Sequence, residues 1–313
     1  MFTATLLAGA LISCGHKEIV CPGATEAIEV LFEWNDAPYA EVEGMTLYFY
    51  PTDGHGKVWR FDIAGRDGGQ VELPTGTYSM IACNNDLPGV TLEGTELKST
   101  IRATAARLVD RGVYASTGML YGTVVDEIEI SSCGVRYTTS DGTVKECGRR
   151  LVRCRPDSLA TRYTVNITAI KGTDRARAST ARLGTVGTSI SLDSNHHTSV
   201  PGMVSMALTV EAAHHSMTGS GCAFRLTDGD TEAYCRTLSV TITTDGKSVS
   251  RTIEIKLENL NIITPHNVII SIDGLEIPGC GDTPEEDVGG IDAAVDGWDV
   301  VETDLVSTIS NTI

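Results

Sequence analysis

Short apolar or alternating runs, each bounded by Gly, Pro, Asp or Asn, follow one another from residue 26 to residue 272. The first, Glu26-Ala-Ile-Glu-Val-Leu-Phe-Glu-Trp34, puts Ile28, Val30, Phe32 and Trp34 on one face at a period of two, the pattern of a half-buried strand. From Gly44 to Asn85 the runs come close together: Gly44-Met-Thr-Leu-Tyr-Phe-Tyr-Pro51, Val58-Trp-Arg-Phe-Asp-Ile63, Gly68-Gly-Gln-Val-Glu-Leu-Pro-Thr-Gly-Thr-Tyr78 and Ile81-Ala-Cys-Asn-Asn85. That spacing predicts consecutive antiparallel strands joined by tight turns. Within it, Pro74 ends a strand because it has no N–H for a ladder, and Gly76 is free to take positive φ before the next strand begins at Thr77.

Residues 95–109 mix helix formers (Ala, Leu, Arg) with Thr, and the β pattern on either side favours a strand with loops. Gly118–Gly122 and Val124–Ile130 read as closing strands. An Arg cluster follows (Arg149, Arg150, Arg153, Arg155), then Pro156, and reads as a solvated linker at a domain boundary. A second block of strands is expected at 163–170, 186–192, 203–210, 223–226, 238–243, 251–257 and 268–272, with Asp245-Gly246 as a hairpin turn. No long amphipathic helix is visible. The expected fold class is all-β, as two tandem β-sandwiches: residues 26–155 and 156–280. A tail, 281–313, is rich in Gly and acid and ends in Trp298–Leu305, a candidate terminal strand.

The 313 residues suffice for two cores of ordinary size. The net charge of -17 disfavours nucleic acid and anionic headgroups as partners. Nine acidic residues and no Lys or Arg lie after Cys280, so the rest of the chain carries only -8.

Thr5-Leu-Leu-Ala-Gly-Ala-Leu-Ile-Ser-Cys14 is an apolar run too short to span a bilayer. It resembles the lipobox of a bacterial lipoprotein signal peptide, with Leu11, small Ser13, and Cys14 as the lipidated residue and new N-terminus. The usual Lys or Arg ahead of the run is absent from Met1-Phe-Thr-Ala4. The expectation is a signal peptide over 1–14, a tether over 15–25, and a membrane anchor through lipid alone. Cys222 and Cys235 flank a hairpin, Phe224–Asp230, and are the candidate disulfide pair; buried free thiols are the equal alternative, because spacing does not fix connectivity.

No constellation for chemistry emerges. His196-His197 and His214-His215 are adjacent pairs, and neighbours on a strand point to opposite faces, so neither pair converges on a metal. Asp228-Gly-Asp230 lacks the calcium-loop spacing. Gly219-Ser-Gly221 is no nucleophile elbow and reads as a flexible loop. Gly54-His-Gly-Lys57 lacks the phosphate-loop spacing. Asn166-Ile-Thr168 is a sequon inside an expected strand. Trp34, Trp59 and Trp298 with Tyr48, Tyr50 and Tyr78 offer a sugar-stacking platform, against core packing as the expected fate of Trp34 and the tyrosines. No cofactor, no metal and no enzymatic activity are expected.

The lipobox, Val30-Leu-Phe-Glu-Trp34, the Gly44–Pro51 strand, Arg60-Phe-Asp-Ile-Ala-Gly65, Leu73-Pro-Thr-Gly-Thr-Tyr78 leading to Asn84-Asn85, and Gly289-Gly-Ile-Asp-Ala-Ala-Val-Asp-Gly-Trp298 together resemble an uncharacterised lipoprotein family of gut and oral Bacteroidetes. That family is similar to the fimbrillin and fimbrial-anchor superfamily, most clearly over residues 26–85. The resemblance implies two transthyretin-like Greek-key sandwiches and an outer-membrane, cell-surface location. It also implies a fimbria-associated role, as anchor or accessory/tip subunit, pairing with other subunits by strand addition. A glycan- or nutrient-binding surface lipoprotein is the alternative, to be separated by whether Trp59 and Trp298 are exposed together.

Overall fold

The computed structural model describes residues 25–53, 56–109, 112–139, 143–147, 150–194, 197–228, 231–244, 248–254, 260–264, 266–277 and 299–301. It is all-β, with three short 3-10 turns and no α-helix among the described residues. The strands of the N-terminal half are β1 Thr25–Phe32, β2 Gly44–Pro51, β3 Trp59–Ala64, β4 Gly68–Pro74, β5 Gly76–Asn84, β6 Val90–Glu93, β7 Arg102–Ala105 and β8 Val113–Ala115. They continue with β9 Tyr121–Ser131, β10 Gly134–Thr138, β11 Val144–Cys147, β12 Leu151–Cys154 and β13 Asp157–Ser158. The C-terminal half holds β14 Ala160–Lys171, β15 Ala178–Ser191, β16 Ser199–Glu211, β17 Ser216–Phe224, β18 Leu226–Asp228 and β19 Thr231–Ala233. Its remaining strands are β20 Thr237–Thr243, β21 Ser248–Glu254, β22 Leu260–Thr264, β23 Asn267–Glu276 and β24 Asp299–Val301.

Three of these, in the order β12-β1-β4, form a small sheet facing a larger one ordered β11-β10-β9-β5-β2-β3. Between them lies a core of Ile28, Val30, Phe32 and Trp34 from the first run, with Met45, Leu47 and Phe49 from β2 and Met80 and Ala82 from β5. The alternation in the first run therefore maps onto burial as expected. In β2 the apolar run is continuous because both faces are covered: the odd positions enter this core, and Tyr48 and Tyr50 enter a second one on the far side.

The chain changes sheets at the β4–β5 corner. Tyr78 is buried with its ring edge-on to Phe49, and its hydroxyl donates to the Pro74 carbonyl at 2.9 Å, closing the corner. Gly76 is not in the positive-φ region there. A Cβ on it would sit 3.4 Å from the Tyr78 ring, so the residue gives the tyrosine room and its backbone freedom is not used.

Apart from the two-stranded β18–β19 ribbon, the C-terminal strands share one sheet in the order β22-β23-β14-β17-β16-β15-β20-β21-β24, curled over a core that includes Tyr163, Val165, Leu183, Val240 and Ile270. Residues 90–115 add to this sheet and not to the N-terminal one: β7 pairs with β15, β6 with β7, and β8 lies parallel to β16. Ile167 and Ile170 reach the same core although three residues apart. Ala169, at φ 50°, and Gly274 opposite it, at φ 77°, kink both strands together and shift the alternation by one. Gly219-Ser220-Gly221, expected as a loop, is the interior of β17. The glycines serve close packing there: a Cβ on Gly219 would meet the Ala207 carbonyl oxygen at 2.4 Å.

Candidate functional site

Among the described residues the structure brings together no constellation of catalytic groups. What it builds is a clamp on the first strand and an apolar joint between the two halves. β1 is the central strand of the small sheet, antiparallel to β4 from Thr25↔Pro74 to Leu31↔Gly68 and parallel to β12 from Glu29↔Leu151 to Phe32↔Cys154. Arg150, Arg153 and Arg155 thus do not stand in a solvated linker, and Arg149 lies outside the described residues. Leu151, Val152 and Cys154 are buried in β12, and Arg153 among them, with Arg150 and Arg155 on either side, faces the acids of the first run. Arg150 pairs with Glu26, Arg153 with Glu33 at 2.9 Å, and Arg155 with Glu33 at 3.5 Å. The hydrogen bond from Arg153, followed by its charge and that of Arg155, holds the Glu33 carboxyl below its ordinary range. Trp34 closes the same end: its indole N–H donates to the Arg66 carbonyl at 2.7 Å, with the Arg66 guanidinium over its ring.

The second face of the larger N-terminal sheet meets the C-terminal strands. Tyr48, Tyr50, Ile81, Cys83 and Val124 from that sheet share one buried cluster with Ile101, Ala103 of β7, Ile190 of β15 and Phe224 of β17. Polar groups rim it. Asp157 accepts from Arg225 at 3.2 Å and lies 3.6 Å from the His266 imidazole, and Arg225 also donates to the Ser158 carbonyl. His197 hydrogen-bonds through Nδ1 to the Ser191 carbonyl at 2.8 Å.

Burial holds the His197 pKa below its ordinary 6.5, opposed by the Ser191 carbonyl and aided by the Arg225 charge. The folded chain therefore binds this proton less readily than the unfolded chain does. The contribution is intact above pH 6.5 and is lost as pH falls from there through the lowered folded value. Thermal unfolding across that window is expected to show a loss of stability toward acid that is smaller in His197→Gln. An unchanged slope in the variant would assign the acid sensitivity to other groups.

Cys222 and Cys235, the candidate bridge, stand as separate buried thiols in this structure. The Cys222 amide donates to Ser116 Oγ at 2.8 Å, whereas the Cys235 thiol donates to the Thr237 carbonyl at 3.0 Å. Burial pushes the Cys83 thiol up to about 12 and Cys235 to about 11, so both are protonated at neutral pH. Cys14 lies outside the described residues, as do His196, Asp230 and Trp298. His214 is exposed beside Glu211, and His215 contacts Thr173, so the second His pair diverges. Trp34, Tyr48, Tyr50 and Tyr78 are core residues, and Trp59 is half-buried against the first core. Asn166 accepts from Thr218 across the β14–β17 ladder. Tyr39, 94% exposed, is the large surface aromatic that the sequence did not single out; it stands in a turn, where no periodicity operates. Among the described residues no group of three His, Cys, Asp or Glu is arranged for a metal, and no helix is long and apolar enough to cross a membrane.

The family model of the domain of unknown function DUF5119 matches residues 13–207. A curated relative from Bacteroides ovatus, provisionally named fimbrium anchoring subunit Fim4B, is 25% identical over 126 residues. That match spans 38% of this chain and 38% of the relative's length. It bears out the resemblance to fimbrial-anchor proteins read from the sequence. A structure provisionally assigned as an adhesin from Bacteroides ovatus ATCC 8483 is similar over 87% of this chain and 100% of its own, with a TM-score of 0.60 at 18% identity. A provisionally assigned polysaccharide-binding protein (DUF1812) from Bacteroides thetaiotaomicron VPI-5482 is similar over 80% and 91%, with a TM-score of 0.51 at 13% identity. At these identities the two structures speak for the fold alone. With well over half of its length matched by one family model, the chain belongs to the DUF5119 family.

Proposed function

We propose that this chain is a lipid-anchored cell-surface subunit associated with fimbriae, acting as an anchor or accessory/tip subunit by strand pairing and adhesion, without catalysis. The observation that carries the reading is the similarity to the provisionally named fimbrium anchoring subunit. In this reading Cys14 bears the lipid on the outer membrane, residues 15–25 form the tether, and each half of the chain is a transthyretin-like Greek-key sandwich. The clamp supports it: the strand nearest the tether is hydrogen-bonded on both sides and paired through Arg150 and Arg153, so a pull on the lipid loads a strand held within a sheet. The buried joint supports it too, since an extended apolar contact transmits load between the halves without hinge motion. The glycan-binding alternative needs Trp59 and Trp298 exposed together, and Trp59 is packed against the first core.

The test is affinity purification from the native envelope, comparing the full chain, a chain ending at Cys280, and Cys14→Ala labelled with palmitate. The reading expects β-rich subunits with the full chain and no label on Cys14→Ala; loss of the subunits on truncation would place their contact after Cys280, and retention would place it before. A full chain recovered alone from envelope that contains fimbriae would overturn it.

A further inference from the structure

We infer that the outer edge of β22 accepts an extended segment of a partner subunit whose paired stretch is uncharged and rich in β-branched residues. The inference rests on the strand-pairing reading above and gives it an address. β22 ends the C-terminal sheet: it pairs with β23 on one side, and among the described residues no strand pairs with the other. Its register is regular over Leu260↔Ile270, Asn261↔Ile269 and Ile262↔Val268, and a bulge interrupts it only beyond Ile262.

An open edge presents a row of free backbone donors and acceptors, and proteins ordinarily guard it with charge. The other strands at open edges among the described residues obey this rule, and β8, which has no charge, is hydrogen-bonded on its second side to residues 106 and 108. Arg60 and Asp62 lie on β3, Lys145 and Glu146 on β11, Arg153 on β12, Glu72 on β4, Glu93 on β6, and Asp299 on β24. β22 reads Leu-Asn-Ile-Ile-Thr with no charge, and Ile262 and Ile263 leave 46% and 53% of their surfaces in water. In a chain of net charge -17, an uncharged edge bearing two exposed isoleucines fits an arriving strand. Backbone pairing supplies the affinity, and side chains that cover the isoleucines supply the selectivity. A second copy is the poorer occupant, because two chains of -17 repel one another.

The experiment uses the full chain and a short synthetic peptide alternating threonine with isoleucine, with a lysine-for-isoleucine peptide as control. Amide exchange at residues 260–264 is followed by mass spectrometry. The expected result is fast exchange in the free protein and protection by the first peptide but not by the control. Ile262→Lys should weaken peptide binding by roughly tenfold or more. Where that variant fails to fold, the control peptide carries the same comparison on the native chain. Three results overturn the inference. Slow exchange in the free protein at every concentration means that the chain's own residues cover the edge. Protection that grows with protein concentration alone means that a second copy does. Fast exchange with both peptides means that the edge accepts nothing. Peptide binding without subunits from the envelope would sink the fimbrial reading and leave the edge standing, and the converse separates them the other way.

Discussion

Phe224→Ala is expected to lower stability by about 3–5 kcal/mol, the usual cost of truncating a fully buried phenylalanine, and to split one unfolding transition into two. Phe224 is 1% exposed at the end of β17, inside the cluster that joins the N-terminal sheet to the C-terminal strands. The backbone is as tight there as the side chain: a Cβ on Gly187 would stand 2.6 Å from the Phe224 carbonyl oxygen, where β15 and β17 touch. Collapse to fill the void is therefore restricted on that side, which puts the cost toward the upper end. Each half keeps its own core, so removing the shared one uncouples them while leaving each able to fold. Urea unfolding in a Trp298→Phe background tests this, because fluorescence then reports Trp34 and Trp59 in the N-terminal half and far-ultraviolet circular dichroism reports both halves. Non-coincident transitions in Phe224→Ala, coincident in the parent, are the expected pair of results. A lower midpoint with the curves still superimposed would mean that the halves are coupled elsewhere, for example through the Asp157–Arg225 pair.

The strands of both cores were legible because alternation over six or more residues is a strong signal. Ile28, Val30, Phe32 and Trp34 sit where the period puts them, and the uninterrupted run of β2 correctly marks a strand buried on both faces. Four features were not legible, each for a different physical reason. β12 has four residues, too few for a period, and Arg153 within it and Arg150 and Arg155 on either side mask three buried side chains; only the acids at Glu26 and Glu33, more than a hundred residues away, explain them. The allegiance of residues 90–115 to the C-terminal sheet depends on pairing partners such as Thr104↔Ser189, and long-range register leaves no local trace. The kink at Ala169 needs positive φ from a residue that rarely adopts it, so composition points away from it. The edge strand β22 was not legible as a strand: strands were expected at 251–257 and 268–272 and none between them. Its lack of charge stands in the sequence, but that it is an edge emerges only once every other strand has a partner.

Asn84→Ala is the second large effect, expected at about 3 kcal/mol from a buried backbone amide and a part-buried carbonyl left without partners. Asn84 is 2% exposed at the end of β5, in the motif that the sequence singled out without a reason. Its carbonyl oxygen accepts from the Tyr121 amide at 2.8 Å, and its amide nitrogen donates to the Met119 carbonyl at 3.1 Å and to Asp86 Oδ1 at 2.8 Å. The other Asp86 oxygen accepts from the Glu43 amide at 3.2 Å, so one side chain ties together the approaches to β2 and β9 and the exit of β5. Only an amide offers an acceptor and two donors in this plane, which is why Asn stands there and not Asp. Asn84→Asp tests that directly. Ionised, it keeps the acceptor for Tyr121, loses both donors and sets a second carboxylate against Asp86. Protonated, it regains one donor. The folded chain therefore takes up this proton more readily than the unfolded chain does, so the aspartate variant should gain stability relative to the parent as pH falls. Chemical denaturation of parent, Asn84→Ala and Asn84→Asp at neutral and acid pH gives the answer. If the alanine and aspartate variants lose equally at both, the site is a matter of shape, and the hydrogen bonds do not hold the three segments together.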